Sequence, residues 1–313
     1  MAGDNQKPLI VILGPTAIGK TGLALDIAEA VNGEIIGADS RQVYRYMDIG
    51  TAKPTPAQQA RVPHHLVDFI DPGDNLTLAR YQQMVYQTID ILHGEGKIPL
   101  LVGGTGQYIT AVTEGWSIPE VPPNEAVRSE FEEFARIHGN DALYTRLEAL
   151  DPAAARKIHP NNVRRVIRAL EVYMETGERI SELQKKKPPP YRIMELGLYL
   201  ERLILYERAD KRVDEMMIAG FLSEVSALLD MGYSPELPSM SGLGYAQLTA
   251  HLLSQVPLAT AVEDTKIATH DFIRRQLTWF RGHDNGILWH NVEHVCIQQV
   301  VEFLFDWLNH RRK

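Results

Sequence analysis

The stretch that decides the fold of this chain is Gly14-Pro15-Thr16-Ala17-Ile18-Gly19-Lys20-Thr21. It follows the apolar run 8–13, which predicts a buried strand, and it precedes residues 22–30, whose apolar side chains recur at helical spacing. Two glycines separated by four residues and followed by Lys and Thr form the phosphate-loop pattern. Such a loop turns backbone N–H groups toward an anion, and the helix that follows adds its positive end. The sequence therefore predicts a P-loop NTPase-like α/β fold, with a parallel sheet flanked by helices, and a site for a phosphorylated small molecule.

Two side chains of this loop suit a bound phosphate. Lys20 can place its ammonium group on terminal phosphate oxygens, and Thr21 can offer its hydroxyl to Mg²⁺. The loop does not distinguish a nucleotide from another diphosphate, because the same arrangement of N–H groups serves both. The identity of the ligand must therefore come from the rest of the chain.

Polar residues also follow two further predicted strands. Asp39 follows the predicted strand 33–38, and Thr105 follows the predicted strand 97–102 through a glycine pair. Ligands of open α/β sheets bind at the carboxyl ends of the strands, so both residues are expected beside the phosphate loop. Asp39 can hold Mg²⁺ through water or act as a general base, and its alternative role is to cap a turn or helix. Thr105 can bond a phosphate or position an acceptor.

The composition changes near Pro119, where prolines are followed by a charged, helix-rich stretch. We predict an inserted, mostly helical subdomain over residues 120–195, within a catalytic core formed by residues 1–119 and 196–313. Arg164, Arg165 and Arg168 lie close together on one predicted helix of the insertion. They form either an anion-binding surface or an ordinary solvated helix face.

The overall composition is that of a globular protein of ordinary hydrophobicity. The chain has 313 residues, a formal net charge of −8 and a single cysteine, so it cannot form an internal disulfide. It contains no apolar run close to the ~20 residues that span a bilayer, and its first residues do not resemble a signal peptide. We expect a cytoplasmic, monomeric protein that does not enter a membrane.

Three classes of protein fit these observations: a small-molecule kinase, a nucleotide-driven switch, and a transferase whose loop holds a leaving pyrophosphate. The switch is disfavoured, because the sequence shows neither a clear strand ending in Asp-Glu nor the guanine-reading pattern Asn-Lys-x-Asp. The kinase and the transferase remain open at this point, together with an RNA-binding module that carries a degenerate nucleotide site.

Six motifs, in this order along the chain, closely resemble those of the tRNA dimethylallyltransferases. They are GPTAIGKT (14–21), DSRQVY (39–44), GTAKP (50–54), PHHLVD (63–68), GGTGQY (103–108) and RQLTWFR (275–281). The resemblance implies transfer of a dimethylallyl group from dimethylallyl diphosphate to the exocyclic amine of the adenosine 3′-adjacent to the anticodon. It also implies a requirement for Mg²⁺ and an insertion that grips the anticodon stem of tRNA. The alternative activity is that of an ATP-dependent nucleoside or small-molecule kinase.

The resemblance also assigns roles to individual residues. The catalytic residues it implies are Asp39 as general base, Thr105 beside the reacting centre and Lys20 on the leaving group, with Thr21 on the metal. The diphosphate-binding residues are Gly14, Pro15, Thr16, Ala17, Ile18, Gly19, Lys20, Thr21, Arg275 and Arg281. The tRNA-binding residues are Asp39, Ser40, Arg41, Gln42, Thr105, Arg128, Val163, Arg164, Arg165, Val166 and Ile167.

Three positions depart from the usual family pattern. Ile18 stands where Ser is usual, Ala246 stands where a basic residue usually follows Gly-Tyr, and Gln107 replaces the more frequent Leu. The basic contact missing at Ala246 could be supplied by Arg274 or Lys211. The Cys/His zinc finger of eukaryotic members has no counterpart in this sequence, so we expect a bacterial type.

Overall fold

The computed structural model of the protein describes residues 6–119, 121–284 and 286–309. The chain forms two compact units. The core unit consists of Met1–Thr113 and Pro190–Lys313, and the inserted unit consists of Glu114–Pro189. Each boundary lies several residues before the one predicted from composition. The reason is local pairing: residues from 191 onward form a strand of the core sheet, and residues 115 and 117 pair with residues 185 and 187 inside the insertion.

The core unit is built on a single sheet whose six strands are all parallel. The strands are β1 Lys7–Leu13, β2 Gly33–Ala38, β3 His64–His65, β4 Ile98–Gly103, β5 Tyr191–Tyr199 and β6 Leu288–Asn291. Their order across the sheet is β3-β2-β4-β1-β5-β6, which places the strand before the phosphate loop in the middle. The predicted parallel α/β fold is confirmed.

Nine of the described helices belong to the core unit. They are α1 Lys20–Val31, α2 Pro56–Arg61, α3 Leu78–Gly94, α4 Gly106–Thr113, α10 Arg202–Ile218, α11 Phe221–Asp230, α12 Tyr245–Leu252, α13 Leu258–Gly282 and α14 Ile297–Asn309. Several begin at residues that cap N-terminal N–H groups. Thr77 accepts from the N–H of Arg80 at the start of α3, and Glu201 does the same for the first turn of α10. None of the described helices is both long and apolar enough to cross a membrane.

Both faces of the sheet are covered by helices, as the central strand shows. Leu9, Val11 and Leu13 belong to one apolar cluster, while Ile10 and Ile12 belong to another. Successive side chains of a strand point to opposite faces, so the continuous apolar run of β1 requires cover on both sides. Helices α3, α4, α11 and α12 contribute to the first cluster, and helices α1, α10 and α14 contribute to the second.

The inserted unit is helical, as predicted, and has its own apolar core. Its described helices are α5 Glu125–His138, α6 Asn140–Leu150, α7 Pro152–Ala155, α8 Val163–Thr176 and α9 Ile180–Leu183. The two ends of the unit pair with each other, since the N–H of Lys187 donates to the carbonyl of Gly115 and that of Ser117 to the carbonyl of Lys185. Residues 185–187, a run of three lysines, therefore take part in closing the base of the insertion.

Candidate active site

The phosphate loop connects β1 to α1 and has the backbone shape that an anion site needs. Gly19 is the residue before α1 and has φ 97°, a left-handed conformation that favours glycine. Ala17 also has a positive φ of 61°, which is uncommon for a residue with a side chain. Backbone strain of this kind is found at ligand sites, where the surrounding structure maintains it. The first turn of α1, with its backbone N–H groups, therefore lies at the carboxyl end of the sheet.

Lys20 lies across this loop, and its Nζ donates to the carbonyl oxygen of Pro15 at 2.7 Å. Burial lowers the pKa of Lys20 from 10.5 to about 8, Asp39 opposes this change, and Arg212 adds to it. Two cations and one carboxylate are therefore close enough to affect one another. A bound anion would favour the charged form of Lys20.

Asp39 and Thr105 meet at the ends of β2 and β4. The Oδ1 atom of Asp39 accepts the N–H groups of Arg41 at 2.8 Å and of Gln42 at 3.4 Å, so the carboxylate caps its own turn. The Oγ1 atom of Thr105 accepts the N–H of Ser40 at 3.0 Å. The two roles considered for Asp39 are thus compatible, because both bonds end on Oδ1 and the other oxygen, Oδ2, can face a ligand.

Arg41 and Gln42, which the sequence assigns to tRNA, both bind other parts of the core unit. The guanidinium of Arg41 donates to the carbonyl oxygens of Pro238 and Ser239. The Nε2 atom of Gln42 donates to the carbonyls of Thr51 at 3.1 Å and Ala52 at 3.0 Å. Both side chains therefore hold the segments that surround Asp39.

One cavity joins these elements. It is lined by Thr16, Ala17, Gly19, Lys20, Thr21, Ala24, Ile35, Gly37, Asp39, Gln42, Thr51, Pro54, His64, Val67, Val102, Gly103 and Arg212. The lining combines polar groups of the phosphate loop, Asp39 and Arg212 with several apolar residues, among them Val67 and Val102. A cavity of mixed lining can take a ligand with a charged head and a short hydrocarbon tail.

Arg212 is the basic residue of this site that the sequence motifs did not identify. It lies on α10, lines the cavity, and has its pKa lowered by burial despite the nearby carboxylates of Asp39 and Glu215. Arg275 and Arg281, assigned to phosphate from the late basic motif, are exposed on α13 and do not line the cavity. Arg212 is one of several charged residues on α10, and no local sequence pattern distinguishes it from the others. The sequence alone does not show which face of this helix meets the phosphate loop.

Gln276 is the residue through which α13 reaches the phosphate loop. Its Oε1 atom accepts the N–H of Thr16 at 2.9 Å, and its Nε2 atom donates to the carbonyl of Gly104 at 2.8 Å. The side chain is 6% exposed, so it joins two glycine-rich turns inside the protein. It lies within the RQLTWFR motif, of which the resemblance assigned only Arg275 and Arg281 to phosphate.

The three departures from the usual pattern have simple structural settings, and the third of them, Gln107, is exposed in the first turn of α4. Ile18 is 1% exposed and packs in the apolar cluster under α1, where its branched side chain is accommodated. Ala246 is exposed in the first turn of α12. The two residues considered as replacements for the basic contact missing at Ala246 are both exposed. Lys211 pairs with Glu215, and Arg274 pairs with Asp271. The residue next to Lys211, Arg212, brings the additional positive charge to the cavity.

In the inserted unit, some of the residues of α8 that were assigned to tRNA are exposed and others are buried. Arg164 and Arg165 are exposed at the start of α8, whereas Val166 and Ile167 are 1% and 3% exposed in the apolar core, with Val163 packed beside it. The side chains of Val166 and Ile167 are therefore not available for the RNA contact predicted for them. The apolar residues 163, 166, 167 and 170 recur at helical spacing, and this pattern could have indicated their burial.

Arg128, also assigned to tRNA, is bound inside the inserted unit. Its Nε donates to the Oε1 of Glu171 at 2.8 Å, and Arg168 donates to the Oε2 of the same carboxylate at 2.6 Å. Burial opposes ionisation of this fully buried acid, but the two arginines and the N–H of Asn124 outweigh it and lower the pKa of Glu171. Arg128 of α5 thus bonds across to Glu171 of α8, whereas Arg168 pairs with Glu171 within α8.

Comparisons with known proteins show which family this chain resembles. A family model described as IPP transferase matches residues 42–283. A tRNA dimethylallyltransferase of Roseiflexus castenholzii is 54% identical over 89% of this chain and 91% of its own, and one of Herpetosiphon aurantiacus is 53% identical over 88% of each. The crystal structure of a full-length tRNA isopentenylpyrophosphate transferase from Bacillus halodurans superposes with a TM-score of 0.72 and 37% identity, covering 98% of this chain and 97% of that chain. A eukaryotic dimethylallyltransferase acting on tRNA has a TM-score of 0.81 and 28% identity, covering 96% and 79%. The motifs, the parallel sheet and these similarities together show that the chain belongs to the IPP transferase family, whose members include the tRNA dimethylallyltransferases.

Proposed function

We propose that this protein transfers the dimethylallyl group of dimethylallyl diphosphate to the exocyclic amine of the adenosine 3′-adjacent to the anticodon of tRNA. The observation that carries the proposal is the convergence of Lys20, Arg212 and Asp39 on one cavity beside the phosphate loop. Two cations suit a departing diphosphate, and a carboxylate suits an amine that must lose a proton.

Diphosphate departure is the step that the positive side of the cavity assists. The bond between the allylic carbon and the diphosphate oxygen breaks, and its electron pair leaves with the diphosphate. The loop N–H groups, Lys20 and Arg212 are positioned to stabilise this developing negative charge, which is where preorganised donors contribute most. Because burial brings the pKa of Lys20 to about 8 in the free protein, the arriving diphosphate strengthens the protonated form.

Proton removal from the adenine amine is the step assigned to Asp39. The nitrogen forms its bond to the allylic carbon and transfers a proton to the carboxylate, which must lie within about 3 Å of the N–H. The carboxylate is prepared for this, since its Oδ1 is held by two backbone N–H groups and its turn is joined to Thr105 through Ser40. Thr105 thereby helps to hold the turn that carries Asp39.

The residues of the cavity fit Mg²⁺. The hydroxyl of Thr21 and the carboxylate of Asp39 both line the cavity, while the described part of the chain contains no group of three His, Cys, Asp or Glu residues placed to hold a metal. Mg²⁺ at phosphate sites uses one or two protein oxygens together with substrate phosphates and water. Thr21 would hold the ion, which when bound supplies positive charge to the diphosphate.

The acceptor base must leave the stacked anticodon loop before it can enter a cavity of this kind. Selection of the tRNA then depends on RNA shape and on single-stranded loop bases. The exposed pair Arg164 and Arg165 is proposed to contact the phosphates of the anticodon stem. We further propose that the protein acts as a monomer, and a tRNA substrate supports a cytoplasmic location.

The direct test incubates the protein with Mg²⁺, unfractionated tRNA and radiolabelled dimethylallyl diphosphate. Label should enter tRNA, and digestion should place it on the adenosine after the anticodon. Asp39→Asn should abolish transfer while diphosphate binding remains, since the amide keeps the shape of the carboxylate but cannot accept the proton. A folded Asp39→Asn variant with undiminished transfer would remove Asp39 as the base. Phosphoryl transfer from ATP to a small acceptor, and no label in tRNA, would favour the kinase instead.

A further inference from the structure

A carboxylate that does not line the cavity, that of Glu224 on α11, accepts three consecutive backbone N–H groups. Its Oε2 accepts the N–H of Asp48 at 2.9 Å and of Ile49 at 2.7 Å, and its Oε1 accepts the N–H of Gly50 at 3.1 Å. The hydroxyl of Tyr245 donates to Oε1 at 2.6 Å. Successive N–H groups that converge in this way form an anion-binding nest. We call this arrangement the Glu224 nest.

The loop of the nest is also held by close packing on the same side. Gly50 lies flat against the rings of Phe221 and Tyr245, and a Cβ atom at this position would overlap the Phe221 ring. The two rings are each 1% exposed and meet edge to face, with their centroids 4.9 Å apart. Glycine is needed here because of the close approach. The backbone at 48–50 therefore has one position relative to α11.

The other side of the loop reaches the cavity. Thr51 lines the cavity, and the carbonyls of Thr51 and Ala52 accept the side-chain amide of Gln42. Gln42 also lines the cavity, and its own N–H donates to Oδ1 of Asp39. Hydrogen bonds, together with the covalent backbone between them, thus connect Glu224 through residues 48–52 and Gln42 to Asp39.

Lys53 anchors the far end of the same loop. Its side chain is 5% exposed, and Nζ donates to the carbonyl of Tyr44 at 2.7 Å and to Asp68 at 2.6 Å, with a further bond to Asp48. A buried ammonium ion needs such partners. The loop 48–53 is therefore held at its start by the carboxylate of Glu224 and at its end by the ammonium group of Lys53.

We infer that Glu224 is a positioning residue for the transfer reaction. It acts through residues 48–52 and Gln42 to keep the carboxylate of Asp39 where it accepts the proton, and this inference rests on the role proposed for Asp39. The phosphate loop is held separately, by Gln276. Loss of the nest should therefore affect the chemical step and leave diphosphate binding intact.

The variant Glu224→Gln tests this with almost no change in shape. One carboxylate oxygen becomes an NH₂ group, which faces at least one backbone N–H and cannot accept it. A misplacement of about 1 Å at a reacting group costs roughly a hundredfold in rate. We expect kcat to fall roughly tenfold to a hundredfold, with the KM for dimethylallyl diphosphate unchanged.

The experiment measures kcat and KM for both substrates, together with hydrogen exchange at the amides of Asp48, Ile49 and Gly50. Exchange should be faster in Glu224→Gln. Tyr245→Phe removes only the hydroxyl bond to the nest. It should therefore lower kcat and speed amide exchange as Glu224→Gln does, but to a smaller extent. If Glu224→Gln does not fold, Tyr245→Phe alone tests the inference. Asp230→Asn, on the exposed end of the same helix, is the matched control and should behave as wild type.

Three results would overturn the inference: unchanged exchange at the three amides, faster exchange with wild-type kcat, or a rise in the KM for the diphosphate that accounts for the whole loss of kcat/KM. Asp39→Asn is assayed in parallel. If Asp39→Asn retains transfer, the proposed function of Asp39 fails. If Asp39→Asn loses transfer while Glu224→Gln keeps its kcat, the role of Glu224 alone fails.

Discussion

Replacement of Lys20 by Met should stabilise the free protein while it removes diphosphate binding. Burial moves the pKa of Lys20 from 10.5 to about 8, so at pH 7 the folded protein maintains a charge that its surroundings disfavour. Since one pKa unit corresponds to about 1.4 kcal/mol, relief of this charge is worth about 3 kcal/mol. Lys20→Met also loses the bond to the Pro15 carbonyl, which offsets about 1 kcal/mol. The net stabilisation is then about 1–2 kcal/mol.

The assay is thermal and urea unfolding of the ligand-free protein at pH 7. For a unit of this size the expected stabilisation raises Tm by about 2–8 °C. Isothermal titration with dimethylallyl diphosphate should show that the same variant has lost its affinity. Lys211→Met, which changes an exposed lysine one position from Arg212, is the control and should leave stability within about 0.5 kcal/mol of wild type.

The pH dependence of stability gives an independent check on whether charged Lys20 destabilises the folded protein. Between pH 8 and 10.5 the unfolded chain keeps the proton of Lys20 while the folded protein releases it. Stability of the wild type relative to Lys20→Met should therefore rise with pH across this window. A Lys20→Met protein that is no more stable than wild type at pH 7, or a stability difference that does not change with pH, would refute the argument from burial.

Three further predictions concern other parts of the protein. Arg212→Gln should weaken diphosphate binding by roughly tenfold to a hundredfold, the value of a charged hydrogen bond, and calorimetry with unchanged affinity would remove Arg212 from the site. Gln276→Leu should lower the free energy of unfolding by about 1–3 kcal/mol, because it leaves a buried backbone carbonyl without its partner; urea unfolding measures this, and wild-type stability would contradict it. Joint replacement of Arg164 and Arg165 by Gln should weaken tRNA binding and flatten its dependence on salt, whereas an unaltered slope in filter-binding assays would return these residues to an ordinary solvated surface.

The local parts of this structure were open to prediction because their causes are local. A change of apolar spacing from a strand to a helix around Gly14–Thr21 depends only on neighbours in the chain, and the same holds for Asp39 and Thr105 at the ends of their strands. Even the burial of Val166 and Ile167 was present in the helical spacing of α8. Their assignment to tRNA came from the family resemblance, which carries over a whole segment and does not show which side of the helix each residue occupies.

The order of the strands and the partners of the site lay beyond such patterns. Gln276, Arg212 and Glu224 approach residues 16–50 from more than 150 positions away, and their residue types are common on any helix surface. The charged arginines of α13 looked better suited to phosphate than a neutral glutamine, yet only the glutamine lies on the side of the helix that meets the loop.

The sequence by itself therefore determined that an anion-binding loop, a carboxylate and a threonine each follow a strand, because short-range backbone preference and apolar spacing specify strands, turns and helices. Only the tertiary structure decided which distant side chains complete the site. Those contacts depend on the rotation of each helix about its axis and on the order of the strands, and both result from burying apolar surface over the whole sheet.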